Sequence, residues 1–111
     1  MTITLISEDQ YNRILEIQAN HPILTFQNKG FEYINKSKFT EGDQKAFDEM
    51  STLLNAHVRG FERFDNFCHS RSGELRLRFQ YNWTADEPGS MPFTGVGYLL
   101  LEELYKGFKN D

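Results

Sequence analysis

Residues 74–83 read Glu-Leu-Arg-Leu-Arg-Phe-Gln-Tyr-Asn-Trp, and their period decides the fold. Leu75, Leu77, Phe79, Tyr81 and Trp83 take every second position, while Glu74, Arg76, Arg78, Gln80 and Asn82 fill the gaps. Successive side chains of a strand point to opposite faces, so this period of two, free of Gly and Pro, predicts a strand with one apolar and one polar face. The apolar face needs a cover, and the remaining segments supply it.

The stretch immediately before, Phe61 to Ser70, is also rich in aromatics, and Arg71-Ser72-Gly73 separates the two. A three-residue connection with Gly in the left-handed position predicts a hairpin. In that register Ser70 faces Glu74, His69 faces Leu75, Phe67 faces Leu77, Asp65 faces Phe79, Arg63 faces Tyr81 and Phe61 faces Trp83. A slip of one residue would turn the first strand over and bury Phe64 and Cys68 instead. Phe61, Phe64 and Phe67, spaced by three, fit neither register along their whole length, which predicts a bulge or two covered faces.

Two helices are written locally. Ser7 with Gln10 forms a capping box, Ile6 and Tyr11 a hydrophobic staple, and Pro22 a stop, predicting a helix over about 8–20. Thr40 caps a second helix over about 41–58, in which Ala46, Phe47, Met50, Leu53, Leu54 and Val58 keep a 3.6-residue period before Gly60. Between them, Ile23–Gln27 and Phe31–Ile34 flank Asn28-Lys29-Gly30, the pattern of a short hairpin. Residues 84–93, with Pro88-Gly89 and Pro92, read as loop. Thr94 is placed to cap a third helix carrying Tyr98, Leu100, Leu101, Leu104, Tyr105 and Phe108 on a wide apolar arc. Gly95 and Gly97 weaken its first turn. The expected fold is a single α+β domain over 1–111: a four-stranded, mainly antiparallel sheet packed with three helices, in the order α-β-β-α-β-β-α.

The net charge of −4 argues against a general nucleic-acid or anionic-membrane binder. Arginines nevertheless concentrate in the hairpin, where Arg59, Arg63, Arg71, Arg76 and Arg78 outnumber the acids Glu62, Asp65 and Glu74. A single cysteine, Cys68, and an N-terminus without a basic, apolar leader point to a reducing, cytoplasmic setting.

Several residues are candidates for chemistry. In the three-residue-loop register Arg63, Asp65 and His69 share a face with Tyr81 and Trp83, giving an aromatic-lined ligand pocket with convergent polar groups. Arg76 and Arg78, two apart on the polar face, could clamp a carboxylate or phosphate, or form an ordinary solvated face. Cys68 and His69 alternate across the strand and so do not make a catalytic pair. His21, His57 and His69 lack metal-ligand spacing, and Gly95-Val96-Gly97 matches no phosphate-loop pattern, so neither metal nor cofactor is expected. Tyr98, Leu101, Tyr105 and Phe108 offer an apolar surface for a homodimer, or else the buried face of a central core helix.

The segments Gly60-Phe61-Glu62-Arg63-Phe64-Asp65-Asn66-Phe67 and Ser72-Gly73-Glu74 through Tyr81 together resemble small α+β proteins carried on bacterial mobile gene cassettes of the integron type. The Ser-Gly turn and alternating strand ending in Tyr are also similar to some immunity proteins of polymorphic toxin systems. The resemblance implies a bacterial accessory protein that binds a partner, and it transfers no functional residue. The expectation is therefore a non-enzymatic binding or interaction protein. The alternatives are a small-molecule-binding or enzymatic domain using the Arg63/Asp65/His69 pocket, and a toxin-neutralising protein using the acidic surface of residues 1–58.

Overall fold

The computed structural model describes residues 2–26, 36–83 and 93–108, without the side chains of 81–83, 93 and 94. It is an α+β fold with three helices and two antiparallel sheets. A short strand β1 (Thr2–Ile3) leads to helix α1 (Glu8–Asn20). Ser7 Oγ accepts from Gln10 N and Gln10 Oε1 accepts from Ser7 N, satisfying two donors that the first turn otherwise leaves open. Ile14 and Ile17 are its buried residues.

Helix α2 (Glu41–His57) begins at a second reciprocal capping box, between Thr40 and Asp43, and buries Ala46, Phe47, Met50 and Leu54. It ends just before Val58, whose backbone belongs to strand β2 (Val58–Arg59), paired with β1 as Thr2↔Arg59 and Ile3↔Val58. Val58 continues the apolar period of the helix, yet its β-branched side chain is buried from a strand.

The larger sheet has the order β3 (Arg63–His69), β4 (Leu75–Trp83), β5 (Phe93–Leu100). Gly73 sits at φ 87° in the hairpin turn, which a residue with a Cβ adopts only under strain. From the turn, His69 faces Leu75 and Phe67 faces Leu77, as expected. The register then shifts between Phe64 and Asn66, so that Phe64 faces Phe79 and Arg63 faces Gln80. The expected pairs Asp65–Phe79 and Arg63–Tyr81 are therefore replaced. The physical reason is the spacing of three between Phe64 and Phe67. A bulge at Asp65 puts both rings on the core side, where they meet edge to face at 5.4 Å and are at most 2 % exposed.

Two expectations are corrected. Residues 93–100 form a strand, not the start of a helix, and they pair with β4 from Trp83↔Phe93 to Arg76↔Leu100 without a break. Gly97 explains why: a Cβ built there would lie 2.3 Å from Phe61 Cε1. Phe61 itself stacks on Phe79 at 4.7 Å. The position needs a residue with no side chain on the inner face of a sheet, and Gly disfavours a helix in any case. Only Leu101–Lys106 is helical (α3), with Glu103 Oε1 accepting from Leu100 N. Second, Pro22–Leu24 is a turn of 3-10 helix and not a strand. Thr25 makes a parallel bridge to Phe67, and Phe26 N donates to Phe67 O at 2.7 Å. The described residues thus form sheets of two and three strands and no single four-stranded sheet. The expected strand Phe31–Ile34 and the turn Asn28-Lys29-Gly30 lie outside the described residues.

The core fills the space between one face of the β3–β4–β5 sheet and the helices. Phe64, Phe67, Leu77, Phe79 and Leu99 from the sheet meet Ile14, Ile17, Met50, Leu54 and Leu104 from the helices. Each of these side chains contributes roughly 1.5–3 kcal/mol by leaving water. Ile6 N donates to Leu104 O, tying the chain before α1 to α3. Across the helix pair, Arg13 grips Glu49 through two hydrogen bonds of 2.6 and 2.8 Å.

Candidate functional site

The opposite face of the sheet is not an ordinary solvated surface. Its residues alternate with the core set: Asn66 and Cys68 on β3, Arg76, Arg78 and Gln80 on β4, Val96 and Tyr98 on β5. Asn66 is 2 % exposed and Cys68 6 %, while Arg76 and Arg78 are partly buried. Here the sheet meets a cavity of about 500 Å³ lined by Gln18, Pro22, Thr25, Phe26, Cys68, His69, Arg76, Arg78 and Tyr98. The size suits a small organic molecule.

Each wall follows from local structure. The strand period puts Arg76 and Arg78 side by side on the floor. Thr25 and Phe26 run along the outer edge of β3, anchored by the bridge to Phe67. Pro22 ends α1 and turns the chain toward that edge, and Gln18 Nε2 from the last turns of α1 donates to Thr25 Oγ1 at 3.3 Å.

The Arg76 guanidinium is held from two sides. Its Cζ lies 4.6 Å from the centroid of the Tyr98 ring, a cation–π contact, and one terminal nitrogen donates to His69 O at 3.4 Å. Its Nε is buried and has no hydrogen-bond partner among the described residues, and the same holds for Asn66 Oδ1. Buried polar atoms are nearly always satisfied, so a donor left open beside a cavity marks a place where a ligand or water completes the bonding. Burial pushes the Cys68 thiol up, and Arg76, through its charge and a hydrogen bond to the thiol, together with the Arg78 charge, opposes this without reversing it. Cys68 is therefore a thiol at neutral pH and not a nucleophilic thiolate. Among the described residues the lining contains two guanidinium groups and no carboxylate.

A scan against protein-family models and searches of curated proteins and of solved structures return no match to this chain. The geometry alone carries the functional reading.

The structure brings Arg76, Arg78, His69 and Tyr98 to one cleft, although the sequence suggested them for three different roles. It does not bring Arg63 and Asp65 to His69. Arg63 is exposed, hydrogen-bonds Gln80 Oε1 and lies 3.7 Å from Asp65 Oδ1, whereas His69 is six positions away, roughly 20 Å along the strand. The bulge puts Arg63 opposite Gln80 on the outer face. Tyr81 and Trp83 belong to β4 by their backbone, and their side chains lie outside the described residues. Of the apolar set suggested for an interface, Leu101 is buried in the core and Tyr105 stacks on Tyr11 at 4.8 Å. Tyr98 and Phe108 are about half exposed. Those four residues do not form one surface, because α3 is too short to carry them. Gln18, Pro22, Thr25 and Phe26 had no signal in the sequence, since they reach the cleft through contacts distant along the chain.

Two other features are locally satisfied. A cavity of about 560 Å³ lies at Glu74, Leu100, Glu102, Glu103, Lys106, Gly107 and Phe108. Its charged groups already have partners: Glu74 with Ser72, Glu102 with Lys106, and Glu103 with the Leu100 amide. His21 Nδ1 lies 2.8 Å from Asp43 Oδ1, fastening the end of α1 to the start of α2. That bond, with the Thr40 amide, holds the Asp43 carboxyl below the usual carboxylate range. Among the described residues no group of three or more His, Cys, Asp or Glu is placed to hold a metal ion, and no helix is long and apolar enough to cross a membrane.

Proposed function

We propose that this chain is a non-enzymatic binding protein whose outer-face cleft takes a small organic anion. The observation that carries this reading is the pair of guanidinium groups, Arg76 and Arg78, in a cavity whose described lining holds no carboxylate, with the buried Arg76 Nε making no hydrogen bond among the described residues. A guanidinium fixed in place by Tyr98 and the His69 carbonyl offers its other N–H donors with little loss of conformational entropy. Phe26, Pro22 and Tyr98 give the same cavity flat apolar walls. A carboxylate or phosphate attached to a flat apolar body matches this combination of charge and wall. Among the described residues the one thiol in the lining, Cys68, is kept protonated by burial, which favours binding over catalysis.

The resemblance to integron-type cassette proteins supports placing it among bacterial accessory proteins, and the lone buried thiol supports a cytoplasmic setting. Isothermal titration with inorganic phosphate, benzoate and a phosphate ester of a phenol tests the reading. Saturable binding of at least one of these, weakening as salt is added, is the expected result. Absence of heat and of any melting-temperature shift with all three at tens of millimolar would refute it.

A further inference from the structure

The two edges of the three-stranded sheet differ. The outer edge of β3 is met at Phe67 by Thr25 and Phe26. Among the described residues nothing pairs with the outer edge of β5. That edge is the sequence Phe-Thr-Gly-Val-Gly-Tyr-Leu-Leu, eight residues without a charge or a proline, in unbroken register with β4. Proteins that keep an edge strand solvent-facing protect it with lysine, proline, a bulge or shortness, because a row of open N–H and C=O groups recruits another strand. β5 has none of these devices. It also exposes Val96 (40 %) and Tyr98 (49 %), two of the large apolar side chains most open to solvent.

We propose that β5 is a self-association edge, and that two copies of the chain pair β5 to β5 in antiparallel fashion to form one continuous six-stranded sheet. A second copy fits this edge on three grounds. An antiparallel pair of identical strands is self-complementary about a two-fold axis and therefore closes at a dimer. Directly opposed residues share a face, so a register centred on Gly97 sets Val96 beside Tyr98 of the partner subunit, apolar against apolar, on the outer face. The same register opposes Gly97 to its own symmetry mate, where neither copy adds a side chain to the crowded core side beneath Phe61. The strand carries no charge that pairing would desolvate. This inference is independent of the anion cleft, although Tyr98 contributes to both.

Sedimentation equilibrium and light scattering on the full chain, over micromolar to millimolar concentrations, provide the test. The wild type is expected to reach twice its 13.0 kDa mass and to stop there. Val96→Lys adds a protective lysine, sets a charge against the apolar Tyr98 of the partner subunit and places the two lysines diagonally across the two-fold axis. It should raise the dimer dissociation constant at least tenfold, with the fold unchanged by circular dichroism. Val96→Thr, which keeps a β-branched residue without charge, should leave the dimer within a few-fold of wild type. The proposal is overturned by a wild type that stays monomeric throughout, by open-ended growth beyond two copies, or by a folded V96K that dimerises as wild type does. Anion binding retained by monomeric V96K is expected, since Val96 does not line the cleft.

Discussion

Replacing Arg76 by methionine separates a binding residue from a structural one. Methionine keeps an unbranched stem of similar length and removes every polar atom. In the wild type the buried Nε has no partner, which costs about 1–3 kcal/mol in the unliganded protein. Against this stand the contact with Tyr98, worth about 0.5–1 kcal/mol at a partly open site, and a long hydrogen bond of 3.4 Å to His69 O. The unliganded R76M variant should therefore be as stable as wild type or more so, by about 0–2 kcal/mol, raising the melting temperature by up to roughly 8 °C. Its affinity for the anion identified by titration should fall about 10- to 100-fold, the worth of one charge-assisted hydrogen bond. Urea denaturation monitored by circular dichroism measures the first quantity and calorimetry the second. A variant destabilised by more than about 1 kcal/mol that still binds the anion at wild-type strength would show Arg76 to be scaffold, and the reasoning would fail.

Two further expectations concern the scaffold. Gly97→Ala drives a methyl into the Phe61 ring, with contacts of 2.3 and 2.6 Å that the Phe61–Phe79 stack resists. Overpacking of this kind should lower stability by about 1–3 kcal/mol, read as a lower urea midpoint at unchanged slope. Asp43→Asn should change the acid limb of the stability curve. The Asp43 carboxyl is held low in the folded state, first by its bond to His21, so the unfolded chain binds the proton more readily. Its contribution is present above the unfolded carboxylate value, about pH 4, and is lost as pH falls through the folded one. D43N should therefore flatten part of the fall in melting temperature below about pH 4. A wild-type slope in D43N would contradict this.

The helices were legible because their determinants are local. Ser7 with Gln10, Thr40 with Asp43, and the apolar period through Leu54 each lie within a few turns of one another. The alternation of Leu75, Leu77 and Phe79 likewise announced the core face of β4. β5 was misread because Leu101, Leu104 and Tyr105 do follow a helical period, and because the reason for Gly97 is a ring from the segment before β3. No reading confined to neighbours along the chain contains that contact. The β3 register was legible from the turn to Phe67 and then depended on the bulge, which the spacing of the phenylalanines implied without locating it. For the site, Arg76 and Arg78 on one face were visible in the pattern. What closes that face into a cleft, Gln18 and Pro22 from the end of α1 with Thr25 and Phe26 along β3, comes from tertiary packing alone.

The extra residue at Asp65 gives β3 two independent phases. On either side of it the strand can accept substitutions of like character without regard to the other side, because each half keeps its own alternation against β4. Asp65 itself, with part of its surface in solvent, has wide latitude for replacement. Because Asp65 has no partner on β4, its loss would leave Phe64 opposite Phe79 and Arg63 opposite Gln80, whereas forcing it into the ladder would turn Phe64 out of the core and Arg63 into it. What the strand fixes is the inward face of Phe64 and Phe67, and residue 65 is free to change in kind or to be lost so long as both rings keep that face.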